Sequence, residues 1–310
     1  MTDPRLPLTG VPDVDAGHAA DEASGLGSEV LRWLESSGWA QPRHIHNGRY
    51  ARIYEAHARN GLKVAVQVQA PYALQRPKAR HTLGNYLRLK LLPWLTPVHP
   101  NLVRYLSSGV LRLKIPETGR RLRLYYIVMP FIEGGTLQQA LGDPAFRTGG
   151  LERLHGTILG ILEGWSAIHA RGLRQGDISP SNIILENGTW NPVLIDLRFS
   201  LRFAHKLIHE HRRFRSTLRA MLTGDWQNLR VFTPLSAEAV MAYWQSGRPD
   251  AESTRQLRAW MDFEAALGEN GRLYLASPPK LLAAAREWAS ARTETGPVAY
   301  SVQGGRMMPR

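Results

Sequence analysis

Gln175-Gly176-Asp177-Ile178-Ser179-Pro180-Ser181-Asn182, followed by the apolar run Val193-Leu194-Ile195 and then Asp196-Leu197-Arg198, sets an acid, an amide five residues on, and a second acid behind a hydrophobic stretch. Asp and Asn favour loops, because their short side chains bond to nearby backbone. The order of these three groups carries more than a turn would need. One carboxylate can receive the proton of an attacking hydroxyl, and the amide and the second carboxylate supply the hard oxygen atoms that hold Mg²⁺ on a triphosphate. The spacing has the layout of a phosphoryl-transfer site.

Working outward, the chain of 310 residues is long enough for one large domain or two lobes. It has no cysteine, which excludes disulfides and thiolate zinc sites and fits a reducing compartment. No basic and then apolar leader opens it, and no apolar run reaches the roughly 18 residues of a membrane span. The expectation is a cytoplasmic protein without a membrane partner. Net charge is +13, and residues 1–28 hold five acids against one arginine, so the remainder carries 38 basic and 21 acidic residues. Such a balance suggests a polyanionic partner (nucleotide, nucleic acid or acidic protein), or arginines that are simply solvated.

Residues 1–27 are rich in Pro, Gly, Asp and Ala and read as a disordered tail. Ser28 can cap a helix from Glu29 to Ser36. Alternating patterns over Tyr50 to Ala56 and Lys63 to Val68, with Asn60-Gly61 between them, predict a β-hairpin. A helix is expected over 78–92, ending before Pro93, and His99-Pro100-Asn101-Leu102-Val103 reads as opening a strand region. A strand over 122–130 leads into Glu133-Gly134-Gly135. Beyond it the pattern turns helical, at 137–141 and then over 151–170, with apolar residues at 158, 161, 162, 165 and 168. Arg202 to Leu222 reads as an amphipathic helix, with Phe203, Leu207, Ile208, His211, Phe214, Leu218 and Leu222 on its core side. Lys206, Arg213, Arg215 and Arg219 fall on its polar side. That polar side reads as a solvated basic face or a polyanion-binding one. His205, His209 and His211 lack the further ligands a metal would need. Further helices are expected over 237–244, 253–266 and 279–291, and a second disordered tail over 293–310.

From about residue 40 to 200 the ordered motifs resemble the protein kinase superfamily, in a divergent form of the Ser/Thr type. The resemblance implies an α+β, bilobal protein-kinase-like fold, with a β-rich N-lobe over 28–132 and a helical C-lobe over 133–292. It implies ATP and Mg²⁺ as cofactors. His46-Asn47-Gly48-Arg49-Tyr50-Ala51 resembles the glycine loop that covers the phosphates, with Gly48 its one glycine. Val64-Ala65-Val66-Gln67 resembles the strand that carries the phosphate-gripping lysine, which is Gln67 here. The glutamate that pairs with that lysine is missing too, because no acid lies between Glu55 and Glu117. Arg49, Arg52 or Lys63 could replace the lysine, Arg52 being the best placed on sequence grounds.

Tyr126-Ile127-Val128-Met129-Pro130-Phe131-Ile132 resembles the hinge that reads adenine. Met129 falls at the gatekeeper, and Pro130 and Ile132 offer backbone groups. Ile53 and Ala65 would form the roof of the adenine slot and Ile184 its floor. In the catalytic loop Asp177 matches the base, and Asn182 and Asp196 match the metal ligands. Ser179 stands where a lysine usually contacts the γ-phosphate. No Ala-Pro-Glu follows, so the usual protein-docking segment is absent. The expectation is Mg²⁺–ATP binding with weak or atypical transfer to a Ser/Thr hydroxyl of an unknown protein substrate. The alternatives are a catalytically inactive pseudokinase acting as a binding or scaffold module, or a small-molecule kinase. A nucleic-acid partner is suggested by charge alone, without supporting motif.

Overall fold

The computed structural model describes residues 25–48, 51–69, 90–114, 119, 121–148, 150–173, 175–197, 204–225, 235–244, 251–268, 271–290, 300–303 and 306–309. Residues 1–24 of the tail expected over 1–27, the tip of the expected glycine loop at 49–50, most of the expected 78–92 helix, and Arg198 lie outside them; Leu26 and Gly27, at the end of that expected tail, are helical instead. The chain divides into two compact units, with boundaries after Thr96, Val103 and Ile132. The segment Pro97–Val103 belongs to the second unit.

The first unit is an antiparallel five-stranded sheet with one helix. The strands are β1 (Ala40–Asn47), β2 (Ala51–His57), β3 (Lys63–Gln69), β4 (Ser107–Lys114) and β5 (Arg121–Pro130), in the order β1-β2-β3-β5-β4. Asn60-Gly61 makes the expected turn. Gly61 takes φ +80, in the left-handed region where glycine alone is unstrained, and the Ala58 N–H closes the loop on the Leu62 carbonyl. The two-residue period of a strand then sorts the sheet into faces. Val64, Val66 and Val68, at most 2% exposed, face α1 (Leu26–Ser36) together with Tyr54, Ala56 and Leu124. Leu26, Val30 and Leu34 recur at four-residue spacing and pack there. Burial of Leu26 explains why α1 starts ahead of the expected Ser28 cap, with Gly25 at the N-cap position. Four cations stand on the exposed side of the β4–β5 hairpin, Arg112 opposite Arg123 and Lys114 opposite Arg121.

The second unit holds a three-stranded sheet, β6 (Gly134–Thr136), β7 (Ile183–Glu186) and β8 (Pro192–Leu194). Its helices are α2 (Leu137–Gly142), α3 (Pro144–Thr148), α4 (Gly150–Ala170), α5 (Ala204–Thr223), α6 (Ala237–Trp244), α7 (Ala251–Ala266) and α8 (Pro278–Ser290). Thr136 and Gln139 form a reciprocal capping box that starts α2 directly from the strand. On α4, Ile158, Ile161, Leu162, Trp165 and Ile168 are at most 1% exposed, as their period requires. Gly160 and Gly164, one turn apart, let another chain segment come close. A methyl group on Gly164 would fall 2.8 Å from the Asn101 carbonyl oxygen, and one on Gly160 2.6 Å from Pro192.

That approach explains the placement of residues 99–103, which the sequence suggested would open a strand. Asn101, 3% exposed, donates its side-chain amide to Asn191 Oδ1 and the Pro192 carbonyl. Leu102 forms a parallel bridge to Leu194, so the segment lies against β8, and the regular strand begins later, at Ser107. Near the chain end, where a tail without structure was expected, β9 (Tyr300–Gln303) and β10 (Arg306–Pro309) pair antiparallel.

Helix α5 departs furthest from expectation. His211, Phe214, Leu218 and Leu222 are buried, as predicted, but so are Glu210, Ser216, Thr217, Ala220 and Met221. Arg215 and Arg219 are therefore not solvated. Both reach Glu264 of α7, at 2.6 and 3.1 Å, and all three side chains are at most 16% exposed. Removing one partner of such a group strands charge in a low-dielectric interior. Glu264→Ala is expected to cost about 3 kcal/mol or more in a denaturant titration.

His211 packs on Trp165 and bonds through Nε2 to the Ala276 carbonyl. Burial holds its pKa below the ordinary value against the opposing pull of that bond. The unfolded chain therefore binds the proton more readily, and stability is lost as pH falls below about 6.5 toward the folded value. Melting temperatures should drop less in His211→Gln than in the wild type between about pH 7.5 and about 5.5.

Candidate functional site

The loop of the second unit is built by its own backbone. Pro180 begins a 3₁₀ turn over Pro180–Asn182, and its missing N–H is no loss at that position. The turn closes from the Asn182 N–H to the Ser179 carbonyl, 2.9 Å. Asn182 then does two things. Its Nδ2 donates to the Asp177 carbonyl at 3.1 Å, and its own carbonyl accepts the Ile195 N–H at 2.9 Å. Gln175, fully buried, reaches the Ile195 carbonyl with its side-chain amide. Asp177, Asn182 and Asp196 are thus tied together across the loop and the end of β8.

With Nδ2 turned to the loop, the Asn182 amide oxygen faces the other way and is available as a hard ligand. Asp196 has φ +50, a left-handed conformation that Asp tolerates at a cost of about 1 kcal/mol. Strain of this kind persists where surrounding bonds over-determine it, as the Ile195 bonds do here. Among the described residues no cluster of three or more His, Cys, Asp or Glu side chains could hold a metal unaided. One carboxylate and one amide oxygen fit Mg²⁺ that brings phosphate oxygens and water as its other ligands.

Asp177 has a side chain 23% exposed. Its Oδ1 accepts no hydrogen bond, and Arg213 Nε of α5 stands 3.5 Å from it. One turn further along α5, Thr217 Oγ1 donates to the Ile178 carbonyl at 3.1 Å. Neither contact is legible in the order of residues, because both depend on where α5 lies in the unit.

In the first unit, Ile53, Ala65, Gln67 and Met129 share the sheet face opposite α1. Directly opposed residues share a face, so Ile53, Gln67 and Ile127 form one row, and Glu55, Ala65 and Met129 the next. The Gly48 N–H bonds to the Ala51 carbonyl across the β1–β2 turn. At the end of β5, Pro130 pairs with Val64 and the Phe131 N–H bonds to the Lys63 carbonyl. Ile132 is half-buried, and no backbone acceptor takes up its N–H among the described residues. Ile184 belongs to β7 of the second unit, paired with Val193.

Arg52, favoured on sequence grounds as the replacement cation, sits on the wrong face for that role. It is 4% exposed, and its guanidinium lies against Gly27 of α1, on the side opposite Gln67. Lys63 is also committed, at 3.5 Å from Glu55 and over the Phe131 ring. Glu55 was missed as a member of this face although strict alternation from Ile53 places it there. The Arg43 guanidinium, 2.8 Å away, holds its carboxyl below the ordinary range despite burial.

No family model matches the chain. Over 103 residues, 32% of its length, it is 31% identical to mouse serine/threonine-protein kinase 16 and 33% identical to the rat protein. The match spans only 31% of the length of these curated relatives. Among solved structures, the kinase domain of Mycobacterium tuberculosis PknI aligns with TM-score 0.54 and 16% identity, over 81% of this chain and 97% of that one. A second structure of that domain aligns with TM-score 0.54 and 15% identity. The fold is α+β and protein-kinase-like, with a β-sheet region followed by a helical one. Among the described residues no helix is long and apolar enough to cross a membrane.

If Asp196 holds the metal, ATP with Mg²⁺ will raise the melting temperature of the wild type and leave Asp196→Ala unmoved. Because alanine suits φ +50 less well than Asp, the readout is the shift on adding nucleotide relative to each protein's own unliganded melting temperature.

Proposed function

We propose that the protein binds Mg²⁺–ATP and transfers its terminal phosphoryl group, weakly or atypically, to a Ser/Thr-type hydroxyl. The observation that carries this reading is the pair of hydrogen bonds made by Asn182, which joins the Asp177 loop to the Ile195–Asp196 step. When bound, Mg²⁺–ATP would supply the phosphoryl donor and neutralise charge on its phosphates. Asp177 orients the attacking hydroxyl and accepts its proton. Asn182 and Asp196 hold the metal by oxygen. On the sheet unit, Ile53 and Ala65 offer an apolar surface to adenine, Met129 borders it, and Pro130 and Ile132 present backbone groups. By the kinase resemblance Ile184 is assigned to the floor of the adenine slot. Gln67 contributes polarity without charge, so one cation of the usual phosphate grip is lost, at a cost of roughly 10²–10³ in rate.

A second reading has its own support. Only seven residues separate Asp196 from the start of α5 at Ala204. That leaves little chain for docking a protein substrate, and it favours a small-molecule acceptor or a pseudokinase that binds nucleotide without turnover. Phosphate transfer from labelled ATP separates the readings. Under the enzymatic one, Asp177→Ala lowers transfer by about 10²–10⁴ and leaves ATP binding intact. Transfer that survives this substitution removes the base assignment, and a wild type that binds ATP but transfers to nothing supports the pseudokinase.

A further inference from the structure

Phosphoryl transfer needs positive charge beside the moving group. Residues 175–182 offer none: Ser179 lies two residues after Asp177, and among the described residues its hydroxyl meets that of Ser181, at 3.2 Å. On the sheet unit Gln67 is neutral, and Arg52 and Lys63 are engaged elsewhere.

Helix α5 brings a cation to the same loop. Thr217, fully buried, fixes the helix to the Ile178 carbonyl. Four residues earlier on the same helix face, Arg213 reaches Asp177. Its neighbours Arg215 and Arg219 are held by Glu264, whereas Arg213 has Asp177 as its one partner among the described residues. The contact is made through Nε, so both terminal nitrogens of the guanidinium remain without a partner there. At 3.5 Å it is longer than the 2.7–2.9 Å of a charge-assisted hydrogen bond, so it does not cap the carboxylate. The Arg213 side chain is also 43% exposed. An ion pair this open contributes little to folding.

We propose that Arg213 supplies the cation that position 179 lacks, contacting the terminal phosphate of Mg²⁺–ATP while it orients Asp177. The proposal rests on the nucleotide reading above and assigns a residue from a helix, not from the loop, to that site. In the step it serves, the substrate hydroxyl oxygen bonds to the terminal phosphorus as the bond from phosphorus to the bridging oxygen breaks. The hydroxyl proton passes to Asp177, and the bridging oxygen leaves with ADP. The two terminal nitrogens of Arg213 match the geometry of phosphate oxygens, which a single ammonium would not.

The test compares Mg²⁺–ATP and Mg²⁺–ADP binding by calorimetry on the full chain, together with labelled phosphate transfer and melting temperature. The variants are Arg213→Ala, Arg213→Lys and the double variant Arg213→Ala with Ser179→Lys. Expected are a loss of about tenfold or more in ATP affinity for Arg213→Ala with ADP affinity unchanged, and a fall in transfer of about 10²-fold. Arg213→Lys should recover part of both. Restoring a loop cation in the double variant should recover ATP preference, which a merely structural arginine would not allow. Equal losses for ATP and ADP with a lowered melting temperature would mark Arg213 as a strut and overturn the assignment. Unchanged binding would do the same, as would faster transfer in Arg213→Ala, which would mark a latch on Asp177. A wild type that binds neither nucleotide would sink the nucleotide reading, and this proposal with it.

Discussion

Asn182 is the joint of the helical unit. A side-chain amide donating to the Asp177 carbonyl and a main-chain carbonyl accepting from Ile195, thirteen residues on, fix the loop to the end of β8. Each bond alone contributes about 1 kcal/mol. Their value lies in geometry: they hold the Asp177 backbone against the chain step that leads into Asp196, which takes a left-handed conformation. The surrounding packing serves the same end. Gly160 and Gly164 of α4 admit Asn101 and β8, and Asn101 pins the chain beside Asn191 and Pro192. A rigid β8 is what lets Asp196, just beyond it, be positioned at all.

The excess of arginine has several fates. Arg52 covers Gly27 of α1, and Arg43 and Lys63 neutralise Glu55. Arg215 and Arg219 are drawn into the helical unit by Glu264. These are structural uses of five of the 39 basic residues. The β4–β5 hairpin keeps its cations exposed, and Arg213 keeps most of its guanidinium open beside an acid. Glu264 saturates Arg215 and Arg219, whereas the terminal nitrogens of Arg213 have no partner among the described residues.

What could be read from residues was whatever has a short period or a short range. The β2–β3 hairpin followed from alternation and Asn60-Gly61, and the buried side of α4 from its apolar spacing. The loop with Asp177 and Asn182 followed from residue types at fixed intervals. Errors arose where a distant partner decides. The start of α1 depends on a core that accepts Leu26. Residues 99–103 go to β8 because Asn101 finds bonds there. Helix α5 reads as amphipathic because arginine counts as polar, and nothing local announces that Glu264, some fifty residues on, will bury two of them.

The sequence by itself determined the kind of chemistry that could be assembled, because an acid, an amide and a second acid at those intervals are covalent facts. It also determined that the usual lysine and its glutamate partner are absent. Tertiary structure alone decided which face each cation takes. A strand reverses its side at every residue and a helix turns 100° per residue, so the final direction of Arg52 or Arg213 depends on which face the packing buries. That choice sends Arg52 to the far side of the sheet and sets Arg213 beside Asp177.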